Sequence, residues 1–288
     1  MHLLRALVLA AALTHASSAA AKPLASVAPE IASETQAGRP LVLYVVVPLC
    51  SNEQINCGSA IAGRPAGLEH NVYWGASFGA RHFFDRRGSG WEQVEVSKKD
   101  GVFLERVVYR RMVAGAPWGR SAPVEQIFAI QAIHGDAIDT AVDHLHATAT
   151  SGGRLSFMDG GKQRDERVQI VGYAGHNRMM DGKKLPALAP GPRAPIPSFV
   201  LACQSEPYFS QQLTSAGSTP LVMTATLMAP EAYLIDAIAR GIGENAPASE
   251  LRSRAVLAYA KWQKLTQPQA SSVFAPRRGS LPPHSPPR

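Results

Sequence analysis

Short, continuous apolar runs recur along the chain and are separated by polar segments that contain glycine and proline. The runs cover residues 41–47, 127–133, 168–174, 199–202 and 220–226. Strands of a parallel sheet that is covered on both faces are apolar at nearly every position, because neither face meets water. We therefore predict that these runs form the central strands of one sheet.

A second pattern, in which apolar residues return every three or four positions, predicts helices between the strands. It covers residues 71–84, 137–148, 230–239 and 249–265. Residues 94–109 instead alternate on either side of a turn, which is typical of a β-hairpin. Strands that alternate with helices in this way predict an α/β fold: a mainly parallel sheet with helices on both faces, plus a β-hairpin insertion.

The two ends of the chain differ in composition from this central part. Residues 1–21 combine a basic start, a short apolar run and small residues, which is typical of a secretory signal peptide. Residues 22–40 are expected to be a linker, residues 41–265 the α/β domain, and residues 266–288 a disordered tail rich in proline and arginine. We therefore expect an exported protein, periplasmic or secreted, whose mature chain has no transmembrane segment.

The net charge of +7 raises the question of a nucleic-acid partner. More than half of this charge comes from Arg5, Arg277, Arg278 and Arg288, which lie in the two predicted end segments. The central part has no stripe of basic residues interleaved with aromatic residues and no nucleic-acid-binding motif. A mildly basic, solvated surface explains the charge, and no nucleic-acid partner is expected.

The cysteines divide into a close pair and a single residue. Cys50 and Cys57 lie in one loop with asparagine and glycine, and in an oxidising compartment such a pair is expected to form a local disulfide. Cys203 then has no partner left in the chain. It is a candidate nucleophile, with a buried and inert cysteine at the end of a core strand as the alternative interpretation.

Two of the predicted strands are followed by reactive side chains: His176 comes after the run at 168–174, and Cys203 after the run at 199–202. The carboxyl ends of parallel strands meet at one edge of the sheet, where ligands bind in open α/β folds. We therefore predict a catalytic dyad in which Cys203 is the nucleophile and His176 its base. The backbone N–H groups of Asn177 and Cys203 are the predicted oxyanion donors.

Polar residues in neighbouring loops are candidates for the walls of a substrate pocket. They are Glu53, Glu69, His70, Asp181, Gln204 and Ser205. Asp136 and Asp159 are further candidates for selecting the substrate side chain. Asp139, Asp143, His144 and His146 include pairs on shared helix faces, so a metal site is an alternative interpretation there. A solvated helix face is favoured, and no metal site and no cofactor are predicted.

The segments Tyr-Ala-Gly-His176 and Ala-Cys203, each after an apolar strand, resemble the caspase-like cysteine peptidases, which include caspases, metacaspases, legumains and gingipains. The resemblance extends more loosely over residues 41–239. It implies a caspase-like sheet and a thiol peptidase in which His176 is the base, Cys203 is the nucleophile and no metal takes part. Asn177 stands where the family carries glycine, and the stretch between His176 and Cys203 is short and rich in proline.

The function implied by this resemblance is that of an exported cysteine endopeptidase that hydrolyses peptide bonds in a peptide or protein substrate. The alternative is a catalytically inactive caspase-like protein of the cell envelope that acts as a binding or scaffold module. A serine hydrolase is disfavoured because the chain has no Gly-x-Ser-x-Gly motif. A nucleotide-binding fold is disfavoured because neither a P-loop nor a dinucleotide fingerprint occurs.

Overall fold

A computed structural model describes residues 22–98, 101–187 and 193–276. The strands are β1 (Leu41–Pro48), β2 (Glu92–Lys98), β3 (Phe103–Val113), β4 (Val124–Ile133), β5 (Gly153–Asp159), β6 (Lys162–Val168), β7 (Ile170–Ala174), β8 (Ser198–Leu201) and β9 (Pro220–Val222). The helices are α1 (Leu24–Val27), α2 (Pro29–Gln36), α3 (Ala80–Asp85), α4 (Ile138–Ser151), α5 (Ser205–Ser215), α6 (Ala232–Gly243), α7 (Ala248–Gln263) and α8 (Gln267–Val273). The predicted signal peptide at 1–21 and the end of the predicted tail, 277–288, lie outside the described residues.

Seven strands form one sheet in the order β2-β3-β4-β1-β7-β8-β9, and β5 pairs with β6 in a separate hairpin. Strands β4, β1, β7, β8 and β9 run parallel, whereas β2 and β3 add an antiparallel edge. The predicted mainly parallel α/β fold is therefore confirmed. The hairpin predicted at 94–109 corresponds to β2 and β3, which extend the main sheet. The β5–β6 hairpin was not predicted, because most residues of β6 are charged and show no apolar alternation.

Strand β1 lies inside the sheet, and all of its residues are buried. Leu43 and Val45 pack into one core together with residues of α6 and α7, whereas Val42 and Val46 pack into a second core with residues of α4 and α5. This division follows from the strand itself, because successive side chains point to opposite faces of a sheet. Helices on both faces therefore exclude water from the sheet, as the continuous apolar runs predict.

Residues 22–40, which were predicted to be a linker, form two helices that pack against the sheet. Leu24 in α1 and Ile31 in α2 are each only 1% exposed. Glu34 in α2 accepts a hydrogen bond from Arg167 Nη1 at 2.7 Å, which fixes the helix to the end of β6. The linker prediction is wrong because a few well-spaced apolar side chains suffice to cover an existing core, although they form no apolar run.

The first part of the predicted disordered tail, residues 266–276, is folded. Thr266 and Gln269 form a capping box that opens α8, and Phe274 pairs with Thr224 in an antiparallel bridge. The prediction of disorder is therefore wrong for residues 266–276. Pro268 occupies the first turn of α8, where the absence of a backbone N–H does not interrupt a helix.

The helix predicted at 71–84 is much shorter, because α3 covers only the last part of this segment and turns precede it. A Cβ atom at Gly75 would lie 2.1 Å from the carbonyl oxygen of Glu69, so the chain folds tightly onto itself here. Trp74 is fully buried, and its Nε1 atom donates to Glu105 Oε1 at 2.9 Å. The apolar residues at helical spacing therefore fill the core from a compact loop.

Candidate functional site

The histidine and the cysteine that were predicted to react follow adjacent strands. Strands β7 and β8 run parallel and pair Ala174 with Leu201, and the N–H of Gly175 continues the ladder to the carbonyl oxygen of Leu201 at 3.1 Å. His176 and Cys203 each come shortly after these paired positions. Because neighbouring strands are about 4.8 Å apart, both residues belong to the same short section of the carboxyl edge of the sheet.

A carboxylate holds His176 in place. The Nε2 atom lies 2.6 Å from Asp181 Oδ2, and only 12% of the histidine side chain is exposed. Asp181 also lies 3.5 Å from Nη1 of Arg178, whose Nε atom donates to Asp139 Oδ1 at 3.0 Å. The Tyr173 hydroxyl donates to the carbonyl oxygen of His176 at 2.8 Å. With Nε2 paired to Asp181, Nδ1 is the ring nitrogen available for proton transfer.

Cys203 is a free, half-buried thiol. Its Sγ atom lies 3.4 Å from the backbone nitrogen of Met228 and 3.5 Å from the carbonyl oxygen of the same residue. An N–H directed at sulfur is a favourable partner for a negatively charged thiolate. Tyr73 lies nearby: burial raises the pKa of its hydroxyl, and the charges of Cys203 and Glu231 raise it further. The Tyr73 hydroxyl therefore stays neutral beside the sulfur.

A sharp turn after β8 presents Cys203 at the sheet edge. Gln204 has a left-handed backbone with φ 49° and ψ 39°, and α5 begins at the next residue, Ser205. The N–H groups of Gln204 and Ser205 donate to the Thr226 carbonyl and the Thr224 hydroxyl, which fixes the turn. In α/β hydrolases the nucleophile lies on a sharp, strained turn between a strand and a helix, and Cys203 lies on a turn of this kind. Gln204 thus contributes its backbone conformation to the site.

Asn177 connects the loop that carries His176 to the loop that carries Cys203. Its Nδ2 atom donates to the carbonyl oxygen of Cys203 at 2.6 Å, and its Oδ1 atom accepts from the N–H of Met179 at 3.1 Å. The residue is fully buried, so its own N–H does not reach a substrate. The prediction that Asn177 is an oxyanion donor is therefore wrong for this conformation. The N–H of Cys203 has no hydrogen-bond acceptor among the described residues and remains a candidate.

A pocket of about 460 Å³ opens beside Asp181 and Arg178. Glu53, from the loop after β1, lines it together with Asp136 and Asp139 from the start of α4. The lining thus contains four acidic side chains and a single arginine, which makes the pocket predominantly negative. Of the six residues predicted from sequence to line a pocket, Glu53 and Asp181 meet here.

The other predicted pocket residues lie elsewhere. Glu69 and His70 are exposed in the loop after β1, 3.7 Å apart, and Glu69 lines a different groove. Ser205 is fully buried, and its hydroxyl donates to a carbonyl oxygen of β8 at 2.7 Å, so its role is structural. Asp159, at the end of β5, forms an ion pair of 3.1 Å with Arg110 of β3. It does not line the acidic pocket.

Cys50 and Cys57 form the predicted disulfide, with their Cα atoms 6.1 Å apart. The bond closes the loop that carries Glu53. The same loop is fixed to the start of α4, because the Ser51 hydroxyl donates to Asp136 Oδ1 at 2.6 Å. The disulfide therefore stabilises one wall of the acidic pocket.

Some residues of the site were not predicted as its members. Arg178 is one of them: it lies with the predicted Asp181 in one short 3-10 turn directly after His176, so its spacing is a signal that could have linked it to the histidine. Asp139 is another, because a solvated helix face is the favoured interpretation of its segment in the sequence. The contact between Met228 and Cys203 uses backbone atoms of Met228, and no residue type in the sequence reveals such a contact.

In the part of the chain that the structure describes, no three His, Cys, Asp or Glu side chains are grouped in a way that could hold a metal ion. No helix within the described ranges is long and apolar enough to cross a membrane. Comparison with known protein families, with curated proteins and with solved structures yields no significant match. The chemistry of the site is therefore the basis on which a function is assigned.

Proposed function

We propose that this protein is an exported, caspase-like cysteine endopeptidase that hydrolyses peptide bonds with Cys203 as nucleophile and His176 as base. The observation that carries the proposal is the placement of both residues after adjacent parallel strands, with His176 Nε2 held 2.6 Å from Asp181 Oδ2. A nucleophile, a base and a group that orients the base are the parts of a catalytic triad. The Cys50–Cys57 disulfide is compatible with an oxidising, exported compartment.

The reaction proceeds in two stages. The thiol of Cys203 passes its proton to Nδ1 of His176, and the sulfur attacks the carbonyl carbon of the scissile peptide bond. The N–H of Cys203 stabilises the oxyanion, and the imidazolium gives its proton to the leaving amine as the C–N bond breaks. His176 then deprotonates a water molecule, which hydrolyses the thioester and restores the thiol. Asp181 stabilises the imidazolium in both stages.

The acidic pocket supports a preference for substrates with a basic side chain beside the scissile bond. The pocket has four carboxylates and one guanidinium in its lining. One of these carboxylates is Asp181, the partner of His176. A lysine or arginine side chain is attracted to such a pocket, whereas an aspartate or glutamate side chain is repelled. We therefore expect cleavage after basic residues.

Fluorogenic peptides with arginine, lysine, glutamate or leucine before the scissile bond test the proposal. The wild-type protein should cleave the basic peptides, and Cys203→Ala should abolish cleavage. His176→Ala and Asp181→Asn should each lower kcat/KM by about 10²- to 10⁴-fold, because they remove the base or its orienting group. Asp143→Asn is a matched control: it removes a carboxylate that pairs with Lys183 and does not line the acidic pocket, so cleavage should be unchanged.

The rate at which iodoacetamide labels Cys203 separates a peptidase from an inactive binding module. In the proposed dyad, labelling at neutral pH is faster in the wild-type protein than in His176→Ala, because the histidine accepts the thiol proton. Equal labelling rates in the two proteins, together with no cleavage of any peptide in a mixed library, would contradict the proposal. That result would favour a catalytically inactive binding or scaffold module.

A further inference from the structure

A cavity of about 510 Å³ lies between α4, the β5–β6 hairpin and the sheet. This volume falls within the range of about 300–1,000 Å³ that small-molecule sites occupy. The strands β1, β3 and β4 supply Tyr44, Phe103, Arg106 and Gln131, and α4 supplies His144. The cavity shares no lining residue with the acidic pocket beside Asp181. It is therefore a second, separate site.

The wall of this cavity contains cationic side chains and no acidic ones. Arg106 and Arg154 line it, whereas their carboxylate partners, Glu95 and Asp165, do not. The Nη2 atom of Arg106 donates to Glu95 Oε1 at 3.1 Å and to the carbonyl oxygen of Ser156 at 2.6 Å. The Nε atom of Arg106 is buried and has no hydrogen-bond partner. Such a donor is costly in the folded state until an acceptor reaches it.

Aromatic and apolar side chains form the rest of the wall. The ring of His144 contacts the rings of Tyr44 and Phe103 edge-on, with centroid distances of 5.5 and 5.4 Å. His144 Nε2 lies 3.2 Å from the Tyr44 hydroxyl, and burial lowers the pKa of His144, so the ring is neutral at neutral pH. Leu155 and Val168 add aliphatic surface. Apolar walls with a few fixed polar groups are typical of small-molecule sites.

We propose that this cavity binds a small organic anion. A carboxylate or phosphate group of the ligand accepts hydrogen bonds from the guanidinium group of Arg106, and an apolar or aromatic body packs against Tyr44, Phe103 and His144. Guanidinium groups bind both kinds of anion through charge-assisted hydrogen bonds. Binding in this cavity does not require a reaction at Cys203, because the two sites share no lining residue.

Isothermal titration calorimetry of the whole protein with four small probes tests the site. Benzoate and phenyl phosphate each combine an anionic group with a ring, benzamide has the ring without the charge, and inorganic phosphate has the charge without the ring. The two organic anions should bind with a Kd of about 1 mM or tighter, and the other two probes about tenfold or more weakly. Equal binding of benzamide and benzoate, or of inorganic and phenyl phosphate, overturns the proposal.

Variants locate the binding. Arg106→Gln should weaken benzoate binding about tenfold or more, whereas Arg110→Gln, on the same strand and also paired with carboxylates, should leave it unchanged because Arg110 is not in the wall. Ala147→Trp should abolish binding, since Ala147 is an exposed position of α4 that lines the cavity. This variant removes no native hydrogen bond, so it decides the question if Arg106→Gln does not fold. Wild-type affinity in Ala147→Trp overturns the proposal.

Discussion

At the scale of single residues, Asn177 shows how one buried amide positions a reactive pair. Its side-chain Nδ2 and Oδ1 atoms both form hydrogen bonds, Nδ2 with the loop that carries Cys203 and Oδ1 with the turn that carries Asp181. Its backbone, with φ −86° and ψ 88°, is outside the left-handed region. The side chain, rather than an unusual backbone, is therefore the reason for an asparagine at this position.

We predict that Asn177→Ala destabilises the protein. The substitution leaves the Cys203 carbonyl and the Met179 N–H without partners in a buried place, which costs about 1–3 kcal/mol. Urea unfolding followed by circular dichroism measures this loss. The control is Asn56→Ala, which removes an exposed asparagine whose Oδ1 atom accepts from Gly58 at 2.8 Å and should cost about 0.5 kcal/mol or less. Equal losses in the two variants would refute the bridging role of Asn177.

The positions of His176 and Cys203 at one edge of the sheet could be predicted from the sequence, because each residue follows an apolar run. Ser205 and Glu69 were misjudged, because proximity in sequence to a reactive residue or a loop does not show which way a side chain points. Ser205 turns inward and donates to a carbonyl oxygen of β8, whereas Glu69 belongs to a different groove. Only the three-dimensional arrangement separates such residues from Asp181.

At the scale of secondary-structure elements, the N-terminal helices α1 and α2 form part of the packed domain. Their apolar residues join the core that contains α6 and α7. An ion pair from Glu34 to Arg167 and a hydrogen bond from the N–H of Ala25 to Asn245 Oδ1 fix them to the rest of the molecule. A segment attached in this way contributes to stability, which a linker does not.

Ile31→Ala is therefore expected to lower the free energy of unfolding by about 2–5 kcal/mol, because it opens a cavity in a closed core. Ser33→Ala, at an exposed position of the same helix, should have almost no effect. Thermal and urea unfolding of the two variants measure the difference. If residues 22–40 were a linker, Ile31→Ala and Ser33→Ala would unfold at the same temperature and urea concentration as the wild-type protein.

The elements that the sequence predicts best are those with a single, uninterrupted pattern. The run at 41–47 corresponds to β1 because every position is apolar and buried. Helix α5 was not predicted, because its buried face includes Ser205 and Ser210 beside Phe209 and Leu213, so no apolar period is visible. Buried polar residues whose hydrogen bonds are satisfied interrupt the apolar periodicity. Such a helix therefore cannot be found from hydrophobicity alone.

At the scale of the whole molecule, the order of the strands determines which loops meet. Because β1 lies between β4 and β7, the loops after β1, β4 and β7 bring Glu53, Asp136 and Asp181 to one pocket. The fold class could be predicted from the alternation of strands and helices. The strand order, and with it the membership of the pocket, depends on pairings between distant segments such as β1 and β7, which no local pattern records.

Export of the whole protein has a direct test. We predict that protein isolated from the exported fraction of its cells begins at Lys22 and carries one disulfide between Cys50 and Cys57, with Cys203 as a free thiol. Intact-mass measurement before and after reduction and alkylation, followed by peptide mapping, determines all three features. A chain in that fraction that begins at Met1, or free thiols at Cys50 and Cys57, would contradict this prediction.

The Cys50–Cys57 bond has a consequence for the redox conditions in which the protein works. Cys203 can act as the proposed nucleophile only when it is reduced, whereas the disulfide closes the loop that carries Glu53 only when Cys50 and Cys57 are oxidised. A reductant that protects the first sulfur also acts on the other two. The thiol–disulfide poise of the surroundings therefore affects both the reactivity of the proposed nucleophile and the closure of the loop that forms the pocket wall.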